Sequence, residues 1–474
     1  MDSISIQTIM HNAVKAAAIF SQLDQEHTDR IVKAVYTAGF NNRVRLAQMA
    51  IDETKMGVFE DKVIKNVIAT QLVYEDIKNV KTVGIISEDF ESGIVEIAQP
   101  LGPIFAITPV TNPTSTVMFK ILIALKSRNP IIIRPHSNAV NCSIEAARIC
   151  YEAALAEDAP ENCIQWIPGS TREETHQLMA HKDMALILAT GGGGLVNAAY
   201  SSGTPALGVG AGNVPVFIEK SADIKYAVSS IMSSKLFDNG TVCASEQAIV
   251  VEKEISQQVK IEFAAQGGYF MNEEETAKVS AVVFDSKKKV MSSDIMGKSV
   301  KFIADLAGIK IPETARLLIA ELKGIGDNYP ISHEILAPVI AFYEAADYDS
   351  AVNICIDLNY HGGVGHTASI FSNNEEKIKQ FSMVMNAGRI VVNMPSSQGA
   401  VGCIVNTLSA SLTLGCGTGG KNITTDNVTA KHLLNIQRIT RRRINRRFDS
   451  FDKSLYFDES VTADKVEKIF DKNF

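Results

Sequence analysis

No Cys-x-x-Cys pair occurs in this chain. Its seven cysteines, Cys142, Cys150, Cys163, Cys243, Cys355, Cys403 and Cys416, are odd in number and scattered. That pattern argues against a disulfide framework, offers no zinc-ligand spacing and no metal site, and fits a reducing compartment, so a cytoplasmic protein is expected. Long apolar runs are also missing. No stretch approaches the length that spans a bilayer, and the first residues lack the basic start and apolar core of an export signal, so no membrane association is expected. A basic excess is absent too: the formal net charge is −7 at pH 7, which argues against nucleic acid as a partner. Neither internal repeats nor low-complexity segments are apparent. What is present is 474 residues with 46% hydrophobic content, enough to bury a large core in more than one domain.

Residues 1–80 carry helical periodicity with charged faces, and residues 82–101 read as a β-hairpin around Glu88-Asp-Phe-Glu-Ser-Gly93. From residue 102 strands and helices alternate: strands at 103–107, 131–134, 184–189 and 214–218, with helices at 114–126, 143–155 and 195–201. A second alternating series follows: strands at 248–251, 316–320, 338–344, 366–371 and 389–392, helices at 256–266, 346–358 and 375–385. This order predicts two doubly wound α/β domains, divided as 1–218 and 219–403, with 404–440 returning to the first. The tail, 441–474, is basic and then amphipathic. Six arginines fall between Arg438 and Arg447, followed by Val466, Ile469, Phe470 and Phe474 at helical spacing, a pattern that suits a solvated face and a packing stripe, with a targeting or partner-docking role as the alternative.

The run Phe237-Asp-Asn-Gly-Thr-Val-Cys-Ala-Ser-Glu-Gln247 places a lone thiol, Cys243, after a turn signal, between a predicted helix and a buried strand. By itself it reads equally as a small buried hydrophobe. Thr190-Gly-Gly-Gly-Gly194 links a strand to a helix start, where exposed N–H groups favour phosphate, and Gly208-Val-Gly-Ala-Gly-Asn213 is a second backbone-permissive loop. Two such loops suggest a nucleotide cofactor. Asn112, followed by Pro113, has the marks of a helix N-cap, and the same position suits an amide aimed at an oxyanion; local sequence leaves both readings open.

Taken in order, Thr111-Asn-Pro-Thr-Ser-Thr-Val-Met-Phe-Lys120, Ala189-Thr-Gly-Gly192, Ala199-Tyr-Ser-Ser-Gly-Thr-Pro-Ala206, Gly208 to Asn213, the Cys243 run, Gly365-His-Thr367, Leu412-Thr-Leu-Gly-Cys-Gly417 and Lys431-His-Leu-Leu-Asn435 resemble the CoA-acylating aldehyde dehydrogenases. The likeness is to the acetaldehyde dehydrogenase half of bifunctional aldehyde-alcohol dehydrogenases and to stand-alone acylating enzymes. With the chain ending at 474, no iron-dependent alcohol dehydrogenase half is expected. The resemblance implies an aldehyde dehydrogenase-like fold with 1–218 as nucleotide-binding domain and 219–403 as catalytic domain. It also implies a homodimer or homotetramer assembled through the 82–101 hairpin and a strand near 409–415.

The resemblance also assigns roles. Cys243 stands as the nucleophile, Asn112 as the oxyanion donor and Glu334 as the ribose partner of the nicotinamide. Arg134 and His136 stand at the adenosine ribose, and Thr111, Thr190, Gly191, Gly192 and Gly210 lie along the cofactor. His366 is a further catalytic candidate for activating the thiol, whose pKa is expected to be lowered or served by a base. Hydrolytic relatives carry a water-activating glutamate where this chain reads Gly208-Val-Gly-Ala-Gly212, so the acyl group is expected to pass to coenzyme A. Acetaldehyde is the expected substrate. Lys421, in a loop where related enzymes often have an aromatic, raises an anionic aldehyde such as sulfoacetaldehyde or succinate semialdehyde as the alternative, and a hydrolytic dehydrogenase or a non-catalytic relative as further ones. No carboxylate near Arg134 repels a 2′-phosphate, so NAD and NADP both remain open.

Overall fold

In the computed structural model, the described residues are 5–169, 171–444, 446–449 and 451–473. They fall into two compact units. The smaller takes residues 83–99 and those from 435 onward. The predicted hairpin is there: β1 (Gly84–Asp89) runs antiparallel to β2 (Ile94–Pro100), with Asp89 opposite Ile94. Asp89 closes the turn by accepting the amides of Glu91 and Ser92, and Gly93 supplies the positive φ that the turn needs.

In the larger unit, the first sheet is formed by β3 (Ile104–Ile107), β4 (Ile131–Arg134), β5 (Ile164–Trp166), β6 (Leu186–Thr190) and β7 (Ala206–Val209). All are parallel, in the order β5-β4-β3-β6-β7. The chain starts in the middle, builds outward to one edge, then returns to build the other. The crevice beside β3, at the carboxyl ends of the strands, is where such sheets receive ligands. Strands this apolar are covered on both faces, as parallel strands must be.

The second sheet holds β8 (Val214–Ile218), β9 (Glu246–Glu252) and β10 (Gly268–Met271). A small pair, β11 (Phe284–Asp285) and β12 (Val290–Met291), stands apart from it. The sheet resumes with β13 (Leu317–Glu321), β14 (Val339–Ala345), β15 (Gly365–Phe371) and β16 (Ala387–Val392). Its seven parallel strands run β10-β13-β14-β9-β8-β15-β16. Here the sequence-based placement needs correction: Val214–Ile218 belongs to this sheet, not to the first. Val216 is in register with Ile249 on one side and Ser369 on the other, and all five residues are buried. The loop of Gly210 to Asn213 is therefore the crossing between sheets.

The last strand, β17 (Leu434–Thr440), joins the hairpin as β1-β2-β17, with Arg438 paired to Glu96 at 2.9 Å. This corrects the expected third strand near 409–415. There, among the described residues, only an isolated bridge from Leu414 to Asn427 forms. Ser411 binds the carbonyls of Thr413 and Val428, and Gly415 donates to Asp426, so these groups are committed to tight local turns. Strands β5, β7 and β10, of three or four residues each, escaped the sequence reading because each contains a glutamine or a glycine where the equally short β3 and β4 are continuous isoleucine-rich runs. No helix among the described residues is long and apolar enough to cross a membrane.

Candidate active site

The helix Ile224–Leu236 hands the chain to β9 through the Asp-Asn-Gly turn, and Cys243 lies just before the amino end of that strand. Asp238, Asn239 and Gly240 all take positive φ, at 50°, 53° and 75°. Aspartate and asparagine tolerate this region where most side chains do not. The Asp238 carboxylate is fully buried and saturated: it accepts the Val58 amide at 2.8 Å, the Thr241 hydroxyl at 2.7 Å, Lys62 Nζ at 2.9 Å and Lys65 Nζ. Burial alone would raise its pKa, but the two ammonium groups hold it below the usual carboxylate value. The turn bearing the cysteine is thus pinned to the helix Phe59–Val67.

Asn112 stands at the N-cap of the helix Pro113–Lys126, with Pro113 at the first helical position as the sequence suggests. Its side chain nevertheless makes no capping bond. Oδ1 accepts Lys65 Nζ at 2.6 Å, and Nδ2 donates to Thr111 Oγ1 at 3.1 Å. The amide is therefore turned away from the helix end and lines a cavity of about 60 Å³ shared with Cys243. The remaining wall comes largely from Ile68, Val209, Phe237, Val401, Ile404 and Leu414. Lys65 is the one charged side chain among the described lining residues, and no carboxylate is among them.

Burial pushes Cys243 up to about 12, the Glu334 carboxylate and Cys416 push the same way, and Arg389 opposes them. Of the two expectations, a lowered thiol pKa or a base beside it, the first is not met in this structure. His366 is fully buried on β15, and burial with the Arg389 charge drives it down to about 3, so it is neutral. Its Nδ1 pairs with Thr367 Oγ1 at 2.9 Å, while Nε2 is buried without a partner. Its ring lies close to the strand-crossing loop: a Cβ on Gly212 would sit 3.1 Å from it and 2.3 Å from the Cys243 carbonyl oxygen. Only glycine fits there. Glu334 accepts the Gly212 amide at 2.7 Å, and burial raises its carboxyl to about 7 against the pull of that amide and of Lys235.

Apart from Glu334, which precedes β14 of the second sheet, the sequence-assigned cofactor residues lie at the carboxyl ends of the first sheet. Arg134 ends β4 and donates Nε to Thr175 Oγ1 at 3.0 Å. His136 follows, its Nδ1 accepting the Asn138 amide, and burial plus the Arg134 charge lowers its pKa. Thr111 is buried and occupied with Lys62 and Asn112. Thr190 ends β6 and lines the cavity, its hydroxyl buried without a partner. Gly191 and Gly192 precede the helix Gly193–Tyr200, and Gly210 follows β7. A Cβ on Gly192, Gly193, Gly194 or Gly210 would meet nothing within 4 Å. Bare backbone at a helix start, open space and an orphaned hydroxyl fit a phosphate-bearing dinucleotide.

Sequence reading did not single out one further buried carboxyl, that of Glu246. Glu246, two residues after Ala244, accepts the Ser396 amide at 2.9 Å through Oε1, while Oε2 is buried without a partner. Burial raises its carboxyl to about 7 despite nearby Ser234 and Lys235. A carboxyl whose pKa rises from 4.5 on folding holds its proton better in the native state, so its contribution to stability falls as pH climbs from about 4.5 to about 7. Relative to the native chain, Glu246→Gln is expected to gain about 2 kcal/mol of stability between about pH 5 and pH 8. Urea unfolding of both proteins at the two pH values checks this.

Sequence reading also missed Lys62 and Lys65. On the helix Phe59–Val67 the polarity is inverted, for Lys62 and Asn66 are 3% and 0% exposed whereas Ile64 is 48% exposed. An apolar-stripe reading turns that helix the wrong way round; the buried Asp238 draws in the lysines, and the Arg43 carbonyl and Thr114 hydroxyl satisfy Asn66. Lys421, by contrast, is exposed and absent from the cavity wall.

A thiol and an amide line one small pocket, and the first sheet has the strand order and crevice of a doubly wound nucleotide-binding fold. A sequence profile described as Aldehyde dehydrogenase family matches residues 1–403. Aldehyde-alcohol dehydrogenase 2 of Entamoeba histolytica is 44% identical over 92% of this chain and 51% of its own length. Succinate-semialdehyde dehydrogenase (acetylating) of Clostridium kluyveri is 37% identical over 92% of this chain and 96% of its own. The crystal structure of an acetylating aldehyde dehydrogenase from Geobacillus thermoglucosidasius superposes with a TM-score of 0.90 at 46% identity, covering 93% of this chain and 96% of that one. The chain belongs to the aldehyde dehydrogenase family. It spans about half the length of the aldehyde-alcohol dehydrogenases it matches.

Proposed function

We propose that the chain is a CoA-acylating aldehyde dehydrogenase, converting a short-chain aldehyde, coenzyme A and NAD(P)+ reversibly to acyl-CoA and NAD(P)H, with acetaldehyde as substrate. The observation that carries this reading is the cavity wall: around Cys243 and Asn112 no described lining residue is a carboxylate, so water meets no general base there. An acyl group on Cys243 then persists until a thiol arrives. Acetylating relatives matched along nearly their whole length support the same reading.

Cys243 attacks the aldehyde carbonyl as thiolate, and Asn112 Nδ2 donates to the oxygen as negative charge develops on it. The nicotinamide dinucleotide, when bound, accepts the hydride. Thr190, Gly191, Gly192 and Gly210, with Arg134 and His136 at the far end, are the residues that would hold it; Glu334 stands for the ribose. Because burial raises the Cys243 pKa, deprotonation is coupled to something the resting pocket lacks, and displacement of Glu334 toward a ribose would remove the largest opposing charge. Coenzyme A thiolate then takes the acyl group from Sγ. His366, neutral and packed, is assigned a supporting place behind the Cys243 loop.

Apolar walls and a volume of about 60 Å³ favour a small neutral aldehyde over an anionic one. NAD and NADP are both accommodated by this reading. A homodimer or homotetramer through the hairpin is part of the proposal, supported by the outer edge of β1, which has no strand beside it among the described residues. Light scattering reads the mass.

Acetaldehyde and NAD+ or NADP+ given to the purified chain should yield at most about one equivalent of reduced cofactor without CoA, then sustained turnover with acetyl-CoA formed once CoA is added. Full-rate oxidation to free acetate without CoA would overturn the proposal.

A further inference from the structure

Lys65 is buried between Asn112 and Asp238. Its Nζ donates to Asn112 Oδ1 at 2.6 Å, to Thr241 Oγ1 at 2.8 Å and to the Asp238 carboxylate. An ammonium has only hydrogens to offer. It therefore dictates which end of the Asn112 amide faces it. With Oδ1 held by Lys65 and one Nδ2 hydrogen given to Thr111 Oγ1, a single N–H of the amide is left over, on a side chain that lines the Cys243 cavity.

We propose that Lys65 is the positioning residue of the oxyanion donor: it locks the Asn112 amide with Nδ2 available to the carbonyl oxygen that Cys243 attacks. Without that lock the amide is free to flip and present an acceptor to a developing negative charge, which repels it. The same ammonium ties Asn112 to Thr241 and Asp238 in the turn that carries Cys243, so donor and nucleophile are registered against one group. Charged oxygen and nitrogen groups around it are Asp238 and Lys62, with Asp61 accepting the Asp238 amide at 2.7 Å. Burial and the Lys62 charge lower the Lys65 pKa to about 8 against the pull of Asp238, so at neutral pH it remains mostly an ammonium. Lys62 shares the network without touching the amide: its Nζ binds Asp238 and the Thr111 carbonyl.

The inference rests on Cys243 and Asn112 acting as proposed, but not on the identity of the acyl acceptor. It is tested without cofactor or CoA, by acylating Cys243 with a chromogenic aryl acetate: Sγ thiolate attacks the ester carbonyl, the acetyl group bonds to sulfur and the aryloxide leaves. The Cys243-dependent rate is measured for the native chain, Lys65→Met, Asn112→Ala, the double variant and Lys62→Met. Lys65→Met should slow acylation about 10- to 100-fold. It should add less than about twofold when Asn112 is already alanine, because a residue acting through another has nothing left to act on. Lys62→Met, which perturbs the same buried network, should lose less than about threefold, and Lys65→Arg, still a pure donor, should recover part of the rate. Multiplicative losses in the double variant, or a native rate in folded Lys65→Met, would overturn the inference. Equal losses for Lys62→Met and Lys65→Met would do the same, since they would mark a general effect of the ion network. Failure of CoA to accelerate native turnover would instead sink only the acylating reading.

Discussion

Cys243→Ala is expected to lose aldehyde oxidation by about 10⁴-fold or more, because no other thiol is among the described lining residues and the proposed reaction has no path without a bond to sulfur. The other cysteines do not substitute. Cys142, Cys150, Cys163 and Cys355 are buried in the cores, and neither half-buried Cys403 nor Cys416, held against the Leu414 carbonyl at 3.3 Å, is among the lining residues. Stability should change little, since Cys243 is only partly buried and alanine leaves the backbone of the turn intact. The measurement is twofold: steady-state turnover, and intact mass after exposure to acetaldehyde and oxidised cofactor without CoA. Native protein should carry one acyl adduct and the variant none; an adduct of equal yield on the variant would remove Cys243 from the mechanism.

Asn112→Ala should reduce kcat by about 10²- to 10³-fold with KM changed far less, the pattern of a donor whose bond tightens as charge develops. Two features separate this from loss of a helix cap. Asn112 makes no side-chain capping bond, so the helix Pro113–Lys126 keeps the capping it has. Lys65, moreover, retains Asp238 and Thr241 as partners when the amide oxygen is removed, so no buried charge is orphaned. The thermal midpoint should therefore shift by only a few degrees. If kcat and KM moved together with a large fall in stability, the amide would be structural rather than catalytic.

Much of the architecture was legible because parallel strands covered on both faces are continuous apolar runs. Strands such as Ile131–Arg134 and Val339–Ala345 needed no tertiary information to be seen. The position of Cys243 before β9 followed from a turn signal, and Pro113 announced the start of its helix. Sheet membership was another matter. Val214–Ile218 reads the same in either sheet, and only its register with Ile249 and Ser369 assigns it. The third strand beside the hairpin, Leu434–Thr440, is distant in sequence from it and gave no local sign of its partner.

The sequence by itself determined the chain of chemistry-bearing types: a thiol in a turn, an amide before a proline, and glycine loops after strands. Those are properties of residue type and local order, which backbone sterics and polarity make readable. Tertiary structure alone decided the state of each group. It set Cys243 near Glu334 in surroundings that raise its pKa, where sequence reasoning expected a lowered value or a base, and it left His366 neutral beside Arg389. It also turned the helix Phe59–Val67 so that Lys62 and Lys65 face inward, because an aspartate 173 residues beyond Lys65 in the chain is buried opposite them. Desolvation and charge pairing depend on what is close in space, and that is set by packing between segments the sequence lists far apart.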